Sequence, residues 1–121
     1  MESKTVLIID DEAFFIEPLK LYFEGQGMSV ITAEDGLTGL NLAKSESPDA
    51  IILDLMLPVI DGYQVCRLLK YDKQYRGIPI IIVSAKDTEN DKALGEKSGA
   101  DLYVTKPVNP ANVYEQIKEY F

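Results

Sequence analysis

The 121-residue chain contains no histidine and no tryptophan, and Cys66 is its one cysteine. Without histidine it can form neither a Ser-His-Asp nor a Cys-His catalytic arrangement, and it has no histidine metal site. A single cysteine cannot form an internal disulfide, which is typical of proteins in reducing compartments. The first residues also lack the apolar run and cleavage site of a secretion signal. We therefore expect a cytoplasmic protein.

Positive charge and long apolar segments are also scarce. The chain has 12 Lys and Arg residues against 20 Asp and Glu residues, for a net charge of −8. A surface that binds nucleic acid or an anionic membrane needs clustered positive charge, so we expect this domain to bind neither directly. The longest apolar runs, such as residues 78–83, are too short to span a bilayer. The acidic excess either keeps the protein soluble or gathers carboxylates around a cation, and composition alone does not decide.

Short apolar runs alternate with longer amphipathic stretches along the chain. We predict strands at residues 5–9, 28–32, 50–53, 79–83 and 102–104, and helices at residues 13–24, 37–45, 62–71, 90–97 and 111–120. Gly95 interrupts the pattern of the fourth helix. The third and fourth strands are apolar without a break, which indicates that helices cover both faces of the sheet. This alternation predicts one α/β domain with a doubly wound, five-stranded parallel sheet.

Polar side chains follow the predicted strands at their carboxyl ends, where ligands bind in sheets of this kind. Asp10 and Asp11 follow the first strand, Asp54 the third, Ser84 the fourth and Lys106 the fifth. Three neighbouring carboxylates repel one another, and a hard cation such as Mg²⁺ would remove that repulsion. Taken singly, these residues are explained as a helix cap, a turn serine and a surface lysine. Their conjunction at one edge predicts a site for a cation and a phosphoryl group.

Four segments of the chain resemble a known family. They are residues 6–12, 49–62, 79–85 and 99–107, and they occur in order and without insertion. On these segments the chain resembles the receiver domain of bacterial two-component response regulators. The resemblance implies one receiver domain over residues 1–121 with the flavodoxin-like strand order 2-1-3-4-5, an order that a chemotaxis receiver of this family exemplifies.

The resemblance implies a phosphoacceptor and a metal site. Asp54 is expected to accept the phosphoryl group, and Asp10 and Asp11 to hold Mg²⁺ together with Asp54 and the backbone carbonyl of Met56. Because the chain has no histidine of its own, the donor would be a phosphohistidine on a sensor histidine kinase or a histidine phosphotransfer protein. On this reading the chain is a regulatory phosphoacceptor and not an enzyme, although it assists its own phosphorylation and slow dephosphorylation.

The resemblance also implies a switch. Ser84 and Lys106 would bind the phosphoryl oxygens, and Tyr103 would move inward when Ser84 turns to the phosphate. The bond between Lys106 and Pro107 is expected to be cis. The surface of the fourth helix, fifth strand and fifth helix would then change its binding to a downstream effector protein or domain. The resemblance is compatible with a phosphorylation-dependent dimer, and the receiver acts either alone or as part of a larger regulator.

The first helix is apolar over a wider arc than packing on a sheet requires. We expect Phe15, Leu19 and Tyr22, in the middle of that arc, to lie in the core. Phe14 and Leu21 lie on a flank that the sheet cannot cover, and in this family that region meets the histidine-bearing helices of the donor. The alternative is a helix that is buried more deeply.

Two loop residues are expected to set the lifetime of the phosphorylated state. Met56 and Lys86 occupy positions that resemble a timer in this family, where fast members place an amide and a carboxylate. A thioether is a weak acceptor, and a protonated lysine cannot act as a base. Slow hydrolysis is therefore expected, unless both side chains simply face solvent.

Three other functions compete with this interpretation. A haloacid-dehalogenase-like phosphatase would need Asp-x-Asp after the first strand, where this chain has Asp10-Asp11-Glu12. A nucleotide or flavin site would need a glycine-rich loop after a strand, whereas the one Gly-x-Gly, at residues 25–27, follows a helix. A pseudo-receiver would bind partners without phosphorylation, and phosphate uptake would distinguish it.

Overall fold

A computed structural model describes residues 3–121. Within these residues five strands alternate with five α-helices. The strands are β1 (Thr5–Ile9), β2 (Ser29–Ala33), β3 (Ala50–Leu53), β4 (Ile80–Ser84) and β5 (Leu102–Thr105). The helices are α1 (Ala13–Gly25), α2 (Gly36–Glu46), α3 (Gly62–Lys70), α4 (Glu89–Lys97) and α5 (Pro110–Ile117), and a 3₁₀ turn (Lys118–Tyr120) follows α5.

Every predicted strand and helix is present. Most ends differ from the prediction by at most one residue, but the fifth helix, predicted to reach residue 120, is α-helical only to Ile117. The fourth helix forms despite Gly95 because Thr88 and Asp91 make a capping box at its start. A Cβ on Gly95 would lie 2.8 Å from the Tyr103 ring, so the absence of a side chain makes room for that ring.

The five strands are parallel and lie in the order β2-β1-β3-β4-β5, which confirms the predicted topology. The register pairs Ile9 with Leu53, Leu53 with Ile82, and Ser84 with Thr105. The carboxyl ends of β1, β3, β4 and β5 therefore finish at one edge of the sheet. The residues that follow them are brought together there.

Both faces of the sheet are buried. Val6 and Ile8 of β1 face a core that includes α1 and α5, whereas Leu7 and Ile9 face a second core that includes α2 and α3. Successive residues of a strand point to opposite faces, which explains why β3 is apolar at every position and why β1 and β4 are apolar at all but one. None of the helices in the described part of the chain has both the length and the apolar character needed to cross a membrane.

The buried side of α1 differs from the prediction. Phe15 and Tyr22, expected in the core, are only half-buried, while Leu19 is buried as predicted together with Ile16 and Phe23. Helix α1 packs against α5 as well as against the sheet, and the Tyr22 ring meets Tyr114 of α5 edge to face, with 5.8 Å between the ring centres. The side chains of Phe15 and Tyr22 therefore reach the margin of the core and not its centre.

Candidate functional site

Four acidic residues converge at the carboxyl edge of the sheet. Asp10 and Asp54 are buried, Glu12 is half-buried and Asp11 is exposed. One carboxylate oxygen from each lies within 4.8 Å of the others. Asp10 Oδ1 accepts the backbone N–H of Glu12 at 2.9 Å, and Asp54 Oδ1 accepts that of Leu55 at 2.8 Å. These bonds hold the two buried carboxylates in place through Oδ1. The Oδ2 atom of each is the one that lies near Lys106.

Lys106 is the cation at the centre of this arrangement. Its Nζ donates to Asp10 Oδ2 at 2.9 Å and to Glu12 Oε1 at 3.1 Å, and it lies 3.6 Å from Asp54 Oδ2. Its side chain is only 11% exposed. The bond from Lys106 to Pro107 is cis, as the resemblance implies. One ammonium is therefore shared among three carboxylates.

The cluster holds more negative charge than Lys106 can balance. Burial raises the pKa of Asp10, and the Asp54 charge adds to this, while hydrogen bonds from Lys106 and the Glu12 backbone oppose it. Burial alone would lower the pKa of Lys106, but its hydrogen bond to Asp10 and the Asp54 charge outweigh burial and raise that pKa. Clustered carboxylate oxygens with excess negative charge are suitable ligands for a hard divalent cation.

Two residues of the site were missed by the sequence analysis. The sequence analysis assigned no function to Glu12, although its position directly after Asp10 and Asp11 could have indicated that it belongs to the acidic cluster. Phe15 was assigned to the core, yet the Lys106 ammonium lies 4.3 Å from the centre of its ring. Sequence spacing gives no signal for that contact, because it depends on the side-chain directions of two residues 91 positions apart.

Ser84 and Tyr103 lie on the neighbouring strands. Ser84 is buried, and its Oγ accepts a long hydrogen bond of 3.4 Å from the backbone N–H of Lys86. The Tyr103 hydroxyl donates to the Lys86 carbonyl at 2.6 Å. Burial, with nearby negative charge, raises the pKa of Tyr103 to about 12. The loop after β4 is therefore tied both to β4 and to β5.

The remaining predicted residues lie on the surface. Met56 and Lys86 are exposed and line a groove that also includes Asp11. The side chains of Phe14 and Leu21 are 78% and 69% exposed, as expected for the uncovered flank of α1. They are seven residues apart and so share one face of that helix.

A family model described as "Response regulator receiver domain" matches residues 6–118. The chain belongs to the response regulator receiver family. The alkaline phosphatase synthesis transcriptional regulatory protein PhoP of Bacillus subtilis (strain 168) is 44% identical over 116 residues, which cover 96% of this chain and 48% of PhoP. Protein PilH of Pseudomonas aeruginosa is 38% identical over 112 residues, 93% of each chain.

Solved structures agree with the family assignment. The crystal structure of a CheY-like response regulator receiver domain protein from Methanospirillum hungatei JF-1 superimposes with a TM-score of 0.90 at 29% identity. The match covers 98% of this chain and 93% of that chain. The receiver spans about half the length of PhoP and of two other curated relatives that it matches.

Proposed function

We propose that this receiver is a phosphorylation-activated switch of a two-component system, with Asp54 as its phosphoacceptor. The observation that supports this most directly is the setting of Asp54. Its carboxylate is buried, its Oδ1 is held by the Leu55 N–H, and its Oδ2 lies 3.6 Å from the Lys106 ammonium. Asp10 and Asp11 supply further carboxylate oxygens within 4.8 Å.

The proposed reaction is an in-line transfer from a phosphohistidine on a partner protein. Asp54 Oδ2 attacks the phosphorus, the P–O bond forms and the P–N bond to the donor histidine breaks, and the imidazole keeps the electron pair of that bond. Lys106 neutralises charge on a phosphoryl oxygen. Bound Mg²⁺, held by Asp10, Asp11, Asp54 and the Met56 carbonyl, would supply the remaining positive charge.

The switch would follow from contacts that only the phosphorylated state can make. The Ser84 hydroxyl would turn to a phosphoryl oxygen and lose its weak bond to the Lys86 N–H. The Tyr103 hydroxyl donates to the Lys86 carbonyl, so a movement of the loop that contains Lys86 would also move the Tyr103 side chain. A ligand shifts such an equilibrium only through a difference in contacts between the two states. The surface of α4, β5 and α5 would then change its binding to an effector or to a second receiver.

We assign donor binding to the exposed face of α1 that carries Phe14 and Leu21. A groove beside Phe14 is lined by Phe15, Lys106 and Pro107, so a partner bound there would lie next to the proposed site. Phe14→Ala should slow phosphotransfer from the cognate kinase or phosphotransfer protein and leave phosphorylation by acetyl phosphate unchanged. Equal loss with both donors would contradict a docking role.

We also propose a long lifetime for the phosphorylated state, on the basis of Met56 and Lys86. Both side chains are exposed to solvent, yet both line the groove beside Asp11, from which water would approach Asp54. Neither side chain can orient that water as a base. The Met56→Asn, Lys86→Glu double variant should therefore lose its phosphoryl group faster than the parent after desalting into Mg²⁺ buffer. An unchanged decay of the phosphorylated mass would refute the assignment.

The wider setting is proposed on the same basis. We place the receiver in the cytoplasm, with a sensor histidine kinase or a histidine phosphotransfer protein upstream and an effector downstream. The net charge of −8 argues against direct contact with nucleic acid or with an anionic membrane. The alternative, a pseudo-receiver that docks without phosphorylation, is less favoured because the acidic cluster and Lys106 are both present.

The proposal is tested by incubating the protein with acetyl phosphate and Mg²⁺ and measuring the intact mass. The parent should gain one phosphoryl group, and Asp54→Asn should gain none. Asp49→Asn, on the opposite edge of the sheet, is the matched control and should behave like the parent. Full phosphorylation of Asp54→Asn would show that Asp54 is not the acceptor.

A further inference from the structure

We propose that Phe15 is a positioning residue whose ring face holds the Lys106 ammonium at the carboxylate cluster, ready for the phosphoryl group. This inference rests on the proposed function, because a fixed position of Lys106 matters only if its ammonium neutralises charge during phosphoryl transfer to Asp54. It is suggested by a contact that the resemblance to the family did not imply and that the spacing of the sequence did not predict.

The contact is the closest of its kind in the described residues. The Lys106 Nζ lies 4.3 Å from the centre of the Phe15 ring, whereas three other lysines lie 5.7 to 6.0 Å from aromatic rings. Lys106 is also the more buried cation, with a side chain 11% exposed against 45% for Lys118. Attraction between an ammonium and a ring face grows when water is excluded, so this contact should be among the stronger ones.

The geometry explains why Lys106 needs such a support. Its hydrogen bonds at 2.9 and 3.1 Å run to Asp10 and Glu12, while Asp54 Oδ2 is farther away at 3.6 Å. These bonds hold the ammonium to one side of the proposed acceptor. After transfer, Lys106 must shift its contacts toward the new phosphoryl oxygens. A ring face attracts the ammonium without fixing its direction, so the ammonium can shift while it stays shielded from water.

The position of Phe15 allows this role. The residue lies in the first turn of α1, three residues after Glu12, and its ring packs against the core formed by β1, β3 and α5. It is only half-buried, so an aliphatic side chain of similar volume would satisfy the packing. What an aliphatic residue cannot supply is the ring face beneath Lys106. The aromatic character of Phe15 can therefore be tested separately from its size.

The experiment compares Phe15→Leu, which removes the ring, with Phe15→Tyr, which keeps it. Initial rates of phosphorylation by acetyl phosphate with saturating Mg²⁺ are measured by intact mass. We expect Phe15→Leu to be slower by roughly 5- to 30-fold, which corresponds to about 1–2 kcal/mol for a desolvated cation–π contact. Phe15→Tyr should retain most of the parental rate. Melting temperatures establish that both variants are folded.

A Lys106→Ala background separates positioning from packing. If Phe15 acts through Lys106, then Phe15→Leu should cause no further loss of rate when Lys106 is already absent. A loss of the same size in both backgrounds, or a parental rate in Phe15→Leu, would overturn the proposal and leave Asp54 as the acceptor.

The contact itself is read by NMR without any phosphorylation. The Lys106 methylene next to Nζ should show a ring-current shift in the parent and in Phe15→Tyr, and the shift should vanish in Phe15→Leu. The two experiments fail separately. If the parent takes up no phosphate, the proposed function is wrong. If the parent shows no ring-current shift, the contact between Phe15 and Lys106 is wrong, whatever the phosphorylation assay gives.

Discussion

Two lysines at opposite ends of the sheet have the same exposure and different surroundings. Lys70 and Lys106 each have a side chain 11% exposed. Lys70 donates to the carbonyls of Arg76 and Ile78 at 3.1 and 2.8 Å and pairs with one carboxylate, that of Asp101, at 2.8 Å. Lys106 is instead shared among three carboxylates. The first lysine has a complete set of partners, whereas the second balances only part of the charge around it.

The carboxylates at the two ends of the sheet also differ in whether they are separate from one another or clustered. At the amino end, Asp49 accepts the backbone N–H of Thr5 and Asp101 accepts that of Ile80, each at 2.8 Å. At the carboxyl end four acidic residues converge, and the nearby Val59 has a φ of +75°, which is unfavourable for a β-branched residue. The amino end is thus arranged for stability. The carboxyl end retains repulsion and strain, which are typical of functional sites.

The largest effect is expected at the amino end. Lys70→Met should lower the free energy of unfolding by about 2–3 kcal/mol, because it leaves two carbonyls and the Asp101 carboxylate without their charged donor. Urea denaturation measures the change, and Lys73→Met, at an exposed position in the following loop, is the control. Phosphorylation of the folded variant should be unaffected. Stability equal to that of the control would mean that the amino end is not a structural centre.

At the carboxyl end, removing a charge should stabilise the metal-free protein at neutral pH. The pKa of Asp10 is raised in the folded state, chiefly by burial, so the native state holds this proton more tightly than the unfolded state. That contribution to stability is present at low pH and is lost as pH rises through the native pKa. The parent should therefore gain stability relative to Asp10→Asn as the pH falls from neutral through the raised native pKa toward the ordinary carboxyl value of 3.8. Parallel pH curves for the two proteins would contradict this account.

A smaller gain is expected from the strained loop. Val59→Asn should stabilise the metal-free protein by about 1 kcal/mol, because asparagine tolerates a positive φ better than a β-branched residue does. The Val59 side chain is 72% exposed, so little packing is lost. Val59→Ala, which removes the β-branch but has no polar side chain to hydrogen-bond locally in the left-handed region, should recover less. Thermal unfolding of the three proteins measures the difference, and a destabilised Val59→Asn would show that the loop is not strained.

The two ends also differ in how much of their structure could be predicted from the sequence. The alternation of strands and helices, and the residues after each strand, followed from periodicity and turn residues, since these are local signals. The strand order came from the resemblance to the receiver family. The pairing of Lys70 with Asp101 and the position of Lys106 over Phe15 depend on side-chain directions and on distant segments, which local patterns do not encode. The buried stripe of α1 was misplaced because the contribution of α5 to its burial is a tertiary effect.

The most direct test of this account is the melting temperature with and without Mg²⁺. A cation that binds only the folded state raises the melting temperature, and the proposed site lies at the carboxyl end. The parent should gain stability with Mg²⁺, and Asp11→Ala, at an exposed member of the cluster, should lose most of that gain. Asp49→Ala at the amino end should melt earlier but keep the full Mg²⁺ increment. An equal increment in Asp11→Ala and the parent, or no increment in the parent, would contradict the assignment of the carboxyl end as the cation and phosphoryl site.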